Sequence, residues 1–141
     1  MLMTIPVIPL ASTLASLGVH AVDILKIDTQ GREEGVLHGY GPDLLSTTPH
    51  IVLEFSYGLL QAAGTDHAGL LHWLSDTGFA CRYMDKRVMK GVDPWPHSMV
   101  GGGSDATAGT PGAGAGCITF DAFVGALKGG WTNLWCEHTR P

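Results

Sequence analysis

Residues 22–57 read VDILKIDTQGREEGVLHGYGPDLLSTTPHIVLEFSY, and the periodicity of this stretch decides the fold. Val22–Ile27 is a short, mostly apolar run with β-branched residues, the pattern of a buried parallel strand. Gly31–Leu45 carries Val36, Leu37, Tyr40 and Leu44 at helical spacing and predicts a helix, weakened by Gly35, Gly39, Gly41 and Pro42. His50–Phe55, introduced by Pro49, predicts a second buried strand. A strand, a helix and a strand in this order call for two parallel strands joined by a right-handed crossover.

The alternation continues on both sides. Leu10–Leu17 predicts a short helix, with Leu10, Leu14 and Leu17 on one face and Ser12 near its start. Ala68–Thr77 predicts another through Leu70, Leu71, Trp73 and Leu74, closed by Gly78, and Phe79–Met84 a third strand. Gly91–Gly116 is rich in Gly, Ala, Pro and Ser and reads as a flexible surface insertion, because it offers too little apolar surface to offset its ordering entropy. It has neither the Lys-Ser/Thr ending of a P-loop nor a GxGxxG after a strand. Within Cys117–Pro141, Phe120–Leu127 predicts a helix and Asn133–Cys136 a closing strand flanked by Trp131 and Trp135. The chain therefore divides into 1–90, an insertion 91–116, and 117–141 returning to the same domain, an α/β fold with a mostly parallel sheet.

Composition limits the function. Hydrophobic residues make up 45% and charged residues 15% of 141 residues, a globular balance of one domain's size. With eight Lys and Arg and a net charge of −5, the chain has no basic cluster to grip phosphates, so nucleic acid is not expected as a partner. No apolar run is long enough to span a bilayer. Met1–Leu10 is apolar but interrupted by Pro6 and Pro9 and lacks a basic leader, so it reads poorly as a signal peptide. Cys81, Cys117 and Cys136 are odd in number and widely spaced. They read as free thiols, which favours a reducing compartment such as the cytoplasm. The seven histidines form no CxxC, HxxxH or HExxH pattern, so no metal site is expected.

Ligands of open α/β sheets bind beyond the carboxyl ends of the strands. The first strand ends in Lys26-Ile27-Asp28-Thr29-Gln30-Gly31 and the second in Leu53-Glu54-Phe55-Ser56-Tyr57. Asp28 and Glu54 should then face one crevice. Two close carboxylates can act as base and acid or hold a divalent cation, and their repulsion raises one pKa. Structural roles compete: Asp28 can cap the following helix, and Glu54 can pair with Lys26 or Arg32. Lys26 lies two residues before Asp28, on the same strand face, as an ion-pair partner that can also orient it. Glu33 sits in the first helical turn, where the helix dipole alone explains it. Tyr57 and His67 can line the same crevice.

The run VDILKIDTQGREEGVLHG at Val22–Gly39 resembles the FkbM methyltransferase family, whose pattern is hDhhKhDhpGxExxhLxG, with h apolar and p polar. Asp23, Lys26, Asp28, Gly31, Glu33, Leu37 and Gly39 match it, and IVLEFS resembles the family's next strand, ending at Glu54. Ile8–Leu14 resembles an upstream helix start, with Ala11 in place of the usual Asp. Gly69–Tyr83 resembles a downstream helix and strand, with Phe79 at the aromatic position. Thr132–Cys136 resembles the last strand. The resemblance implies a partial Rossmann-like class I methyltransferase sheet, mostly parallel with an antiparallel last strand and with its first strands missing. It also implies methyl transfer from S-adenosylmethionine to the hydroxyl oxygen of a small molecule or glycan, with Asp28, Glu54 and Lys26 as catalytic candidates.

The family's first strand, Gly-containing loop and acidic residue after the second strand, which hold the cofactor, precede the matched part and have no counterpart here. The chain is accordingly expected to be the C-terminal half of such a domain, without most of the cofactor pocket and inactive or weakly active alone. The alternative is a non-catalytic oligomerisation or regulatory module that self-associates through the sheet edge left open.

Overall fold

A computed structural model describes residues 3–84 and 119–139, with the backbone alone at 99–100 and 118. The elements are α1 (Leu10–Ser16), β1 (Ile24–Ile27), α2 (Glu33–Tyr40), α3 (Pro42–Thr47), β2 (His50–Ser56), α4 (Tyr57–Ala63), α5 (His67–Asp76), β3 (Phe79–Tyr83), β4 (Met99–Val100), β5 (Ile118–Thr119), α6 (Phe120–Leu127) and β6 (Trp131–His138). Four strands form one sheet in the order β1-β2-β6-β3. β1 is parallel to β2, whereas β6 is antiparallel to both β2 and β3. Three strands thus run one way and the last runs against them, as the sequence implied. β6 does not close an edge, however. It lies inside the sheet and extends beyond the predicted Asn133–Cys136 to eight residues.

One face of the sheet supplies the core. Leu25, Ile27, Ile51, Leu53, Phe55, Leu134, Phe79 and Tyr83 are buried at alternate positions. They join Leu37 and Tyr40 of α2, Leu60 of α4, Leu70, Leu71 and Leu74 of α5, and Phe120, Phe123 and Leu127 of α6 in one cluster. Alternate burial follows from the two-residue repeat of a pleated strand. On the other face, Lys26 is exposed, and Val52, Glu54, Trp135 and Arg82 are partly exposed.

The expected helix Gly31–Leu45 is two helices. Gly41 adopts φ 83°, ψ 158° between them, and Pro42 at the start of α3 has no N–H with which to continue α2. α4 has no counterpart in the sequence reading. It begins directly after β2 and stops at Gly64, which is left-handed at φ 83°, ψ 12°. α6 spans the predicted Phe120–Leu127, and the Thr119 hydroxyl caps it by accepting the Ala122 N–H at 3.2 Å. Of the insertion 91–116, only the Met99–Val100 backbone is described. It pairs parallel with Ile118–Thr119 as a two-residue ladder, and the rest of that expectation lies outside the described residues.

Cys81 and Cys136 are not free thiols. They form a disulfide between directly opposed residues of β3 and β6. Their 55-residue separation hides a contact that only the sheet order creates, and the ground for favouring a reducing compartment falls with it. Cys117 lies outside the described residues.

Candidate functional site

The β1–α2 loop and the end of β2 meet at the carboxyl ends of the two parallel strands. The pairing of Ile27 with Leu53 sets Asp28 and Glu54 at neighbouring strand positions. The loop Asp28–Arg32 is held by a residue whose role the sequence did not reveal. Glu33 is only 1% exposed. Its Oε1 accepts the Thr29 N–H at 2.9 Å, the Thr29 hydroxyl at 3.1 Å and the Gly31 N–H at 3.1 Å. A carboxylate that accepts from this many donors fixes the loop far more tightly than interaction with a helix dipole requires. Its Oε2 is buried and has no hydrogen-bond partner among the described residues.

Gly31, at φ 100°, lies against α4. A Cβ there would stand 2.5 Å from the Leu59 carbonyl oxygen and 2.8 Å from its carbon, so only glycine allows the loop to come this close. The Tyr57 N–H at the start of α4 donates to the Gly130 carbonyl at 3.0 Å, which ties the second wall of the crevice to the turn before β6.

Within this frame Lys26 Nζ meets Asp28 Oδ2 at 3.1 Å. Gln30 Nε2 donates to Asp28 Oδ1 at 2.9 Å and to Glu54 Oε2 at 2.6 Å. The three sequence candidates are therefore brought together, with Gln30 as an unforeseen fourth member. Asp28 does not cap α2, which has no side-chain cap bond, and the side chain that donates to Glu54 is that of Gln30 rather than Lys26 or Arg32. Tyr57 and His67 stack with centroids 4.4 Å apart, and His67 Nε2 is 2.8 Å from the Tyr57 carbonyl oxygen.

The two carboxyl groups titrate in opposite directions. The hydrogen bond with Glu54 holds the Asp28 carboxyl below its ordinary value, helped by the bonds from Lys26 and Gln30. Partial burial raises Glu54, as do the bond and negative charge of Asp28 and the charge of Glu33. Of the two, Glu54 is therefore the one that keeps its proton to the higher pH. The arrangement offers a fixed anion beside a carboxyl group suited to accept or return a proton. Among the described residues, no group of three or more metal-ligating side chains is present, and no helix is long and apolar enough to cross a membrane.

The sequence matches the family described as the Methyltransferase FkbM domain over residues 2–81, more than half of the chain and all of this site. No curated protein and no solved structure matches it.

Proposed function

From the premise that this chain belongs to the FkbM methyltransferase domain family, we propose that it serves S-adenosylmethionine-dependent methyl transfer to a hydroxyl oxygen of a small molecule or glycan. The observation that carries this reading is the carboxyl pair Asp28–Glu54, linked through Gln30 at the ends of adjacent parallel strands, where open α/β sheets hold their ligands. The residues present fit the cationic end of the cofactor, since carboxyl groups complement a sulfonium and an ammonium. No described residue is assigned to its adenosine.

Bound cofactor would supply the transferable methyl group. The chain's own residues act on the acceptor. Glu54, ionised, would take the proton that the acceptor hydroxyl loses as it gains the methyl group, while the departing sulfur keeps the bonding pair. Asp28, held ionised by Lys26, keeps Glu54 basic enough for the task. General-base assistance of this sort contributes roughly 10²–10⁴-fold, and orientation supplies much of the remainder.

Isothermal titration of the full chain with S-adenosylmethionine tests the reading, together with methyl incorporation into a panel of hydroxyl acceptors. Binding, with incorporation reduced at least ~10²-fold in Glu54→Gln, is the expected result. Absence of binding at millimolar cofactor would remove the idea of an autonomous enzyme.

A second reading rests on β1. Among the described residues it is hydrogen-bonded to β2 alone, and its Ile24 is 54% exposed. An unpaired edge is a template for another strand, so the chain would act as a module that associates with a second copy or with the remainder of such a domain. Sedimentation of the full chain as a monomer across the micromolar range would exclude the self-associating form.

A further inference from the structure

Gln30 is the only non-glycine residue at positive φ among the described residues, at 56°. For a glutamine this backbone is unfavourable, and such strain persists only where the surroundings over-determine it. They do so here from both sides. Glu33 Oε1 accepts the N–H groups of Thr29 and Gly31, which flank Gln30, and Gly31 is seated against the Leu59 carbonyl.

The strained backbone directs the amide at two carboxyl groups. Ionised carboxylates only accept hydrogen bonds, so the nitrogen rather than the oxygen of the amide must face them. A primary amide has two N–H bonds, and both are used: one goes to Asp28 Oδ1 and the other to Glu54 Oε2. Lys26 occupies Asp28 Oδ2. The charged groups around the pair are thus distributed unequally. Asp28 has the ammonium of Lys26 in direct contact, whereas Glu54 has the negative charges of Asp28 and Glu33 as neighbours and a weaker attraction from Lys26. Asn133, opposite Glu54 on β6, is neutral.

On the reading given under Proposed function, we infer that Gln30 is a positioning residue whose amide clamps Asp28 and Glu54 at a fixed separation, so that Glu54 alone exchanges the proton of the reaction. The clamp offsets the repulsion that would otherwise drive the two carboxyl groups apart as they ionise, and the left-handed backbone is what allows one side chain to reach both.

The test is a carbon-detected nuclear magnetic resonance titration of the Asp28 and Glu54 carboxyl groups in the full chain, compared with Gln30→Gly and Gln30→Asn. Glycine accepts positive φ freely and asparagine accepts it well, so neither variant adds backbone strain. Glycine has no amide, and the asparagine amide is one methylene too short to span both partners. Both variants should move the Glu54 and Asp28 midpoints upward, because each ionised form loses a donor. Where methyl transfer is measurable, the acidic limb of its pH profile should move upward with Glu54. Midpoints that coincide with those of the parent chain would overturn the inference, and a fall in Tm without movement of the midpoints would make Gln30 merely structural. Failure of the methyltransferase reading would show differently, as absence of cofactor binding by the parent chain while the titration still shifts.

Discussion

Replacing Gly31 with alanine tests whether the β1–α2 loop is truly seated on α4. Two costs add. A side chain at φ 100° is strained by on the order of 1–2 kcal/mol. The new Cβ would also stand 2.5 Å from the Leu59 carbonyl oxygen. That atom belongs to a helix backbone and cannot rotate away, so the overlap costs a further ~1–3 kcal/mol, as overpacking does elsewhere. Gly64→Ala supplies the control. Gly64 has φ 83°, and a Cβ added to it would have nothing within 4 Å, so only the first cost applies, about 1–2 kcal/mol. Urea denaturation followed by circular dichroism should therefore place Gly31→Ala about 1–3 kcal/mol below Gly64→Ala. Equal losses in the two variants would refute the close approach, and with it the account of how Asp28 is brought to Glu54.

Reduction of the Cys81–Cys136 disulfide should destabilise the chain by up to about 4 kcal/mol, the loop-closure value for its 55-residue separation; thiol titration of the unfolded, unreduced chain should find at most one free thiol of three cysteines, and three would contradict the pairing. Glu33→Ala removes three bonds to the loop and should cost about 2–3 kcal/mol by urea melt, with a change under ~0.5 kcal/mol counting against the clamp. Phe123→Ala should cost about 3–5 kcal/mol, because its ring is fully buried between Phe55 and Tyr83, each 5.7 Å away; Trp131→Ala, half exposed, should cost far less. The carboxyl pair makes stability depend on pH in two opposite ways. Asp28, lowered in the fold, contributes stability above its ordinary 3.8 that is lost as pH falls through its folded value. Glu54, raised, contributes fully below its ordinary 4.5 and loses that contribution as pH rises through its folded value. Urea melts from pH 4 to 7 should lose the second slope in Glu54→Gln, and an unchanged slope would assign it to other groups.

The sequence announced β1, β2 and the carboxylates at their ends because apolar runs of strand length and polar residues just beyond them are local features. What it concealed depends on other parts of the chain. α4 has only seven residues, too few for a helical period to stand out, and it includes Gly58. The break between α2 and α3 was signalled by Gly41 and Pro42, yet the apolar spacing runs across both. Glu33 looks like any acidic residue in a first helical turn, and only the folded loop shows that its carboxylate is buried. Gln30 occupies a position where the family pattern asks merely for a polar residue. The glycine that follows it was the available hint of a tight backbone. The disulfide is invisible at the level of spacing, because Cys81 meets Cys136 only once β6 has entered between β2 and β3.

That entry has a temporal cost. Among the described residues β3 pairs in the four-stranded sheet with β6, and the cysteine that pairs with Cys81 follows it by 55 residues. At synthesis rates of about 5–20 residues per second, roughly 3–11 seconds separate the two on the ribosome. Throughout that interval Phe79, Cys81 and Tyr83, buried in the finished fold, belong to a strand whose neighbour β6 has not yet been made. The nascent chain is therefore most vulnerable to aggregation between β3 and β6, and that is the interval in which a chaperone would change its yield.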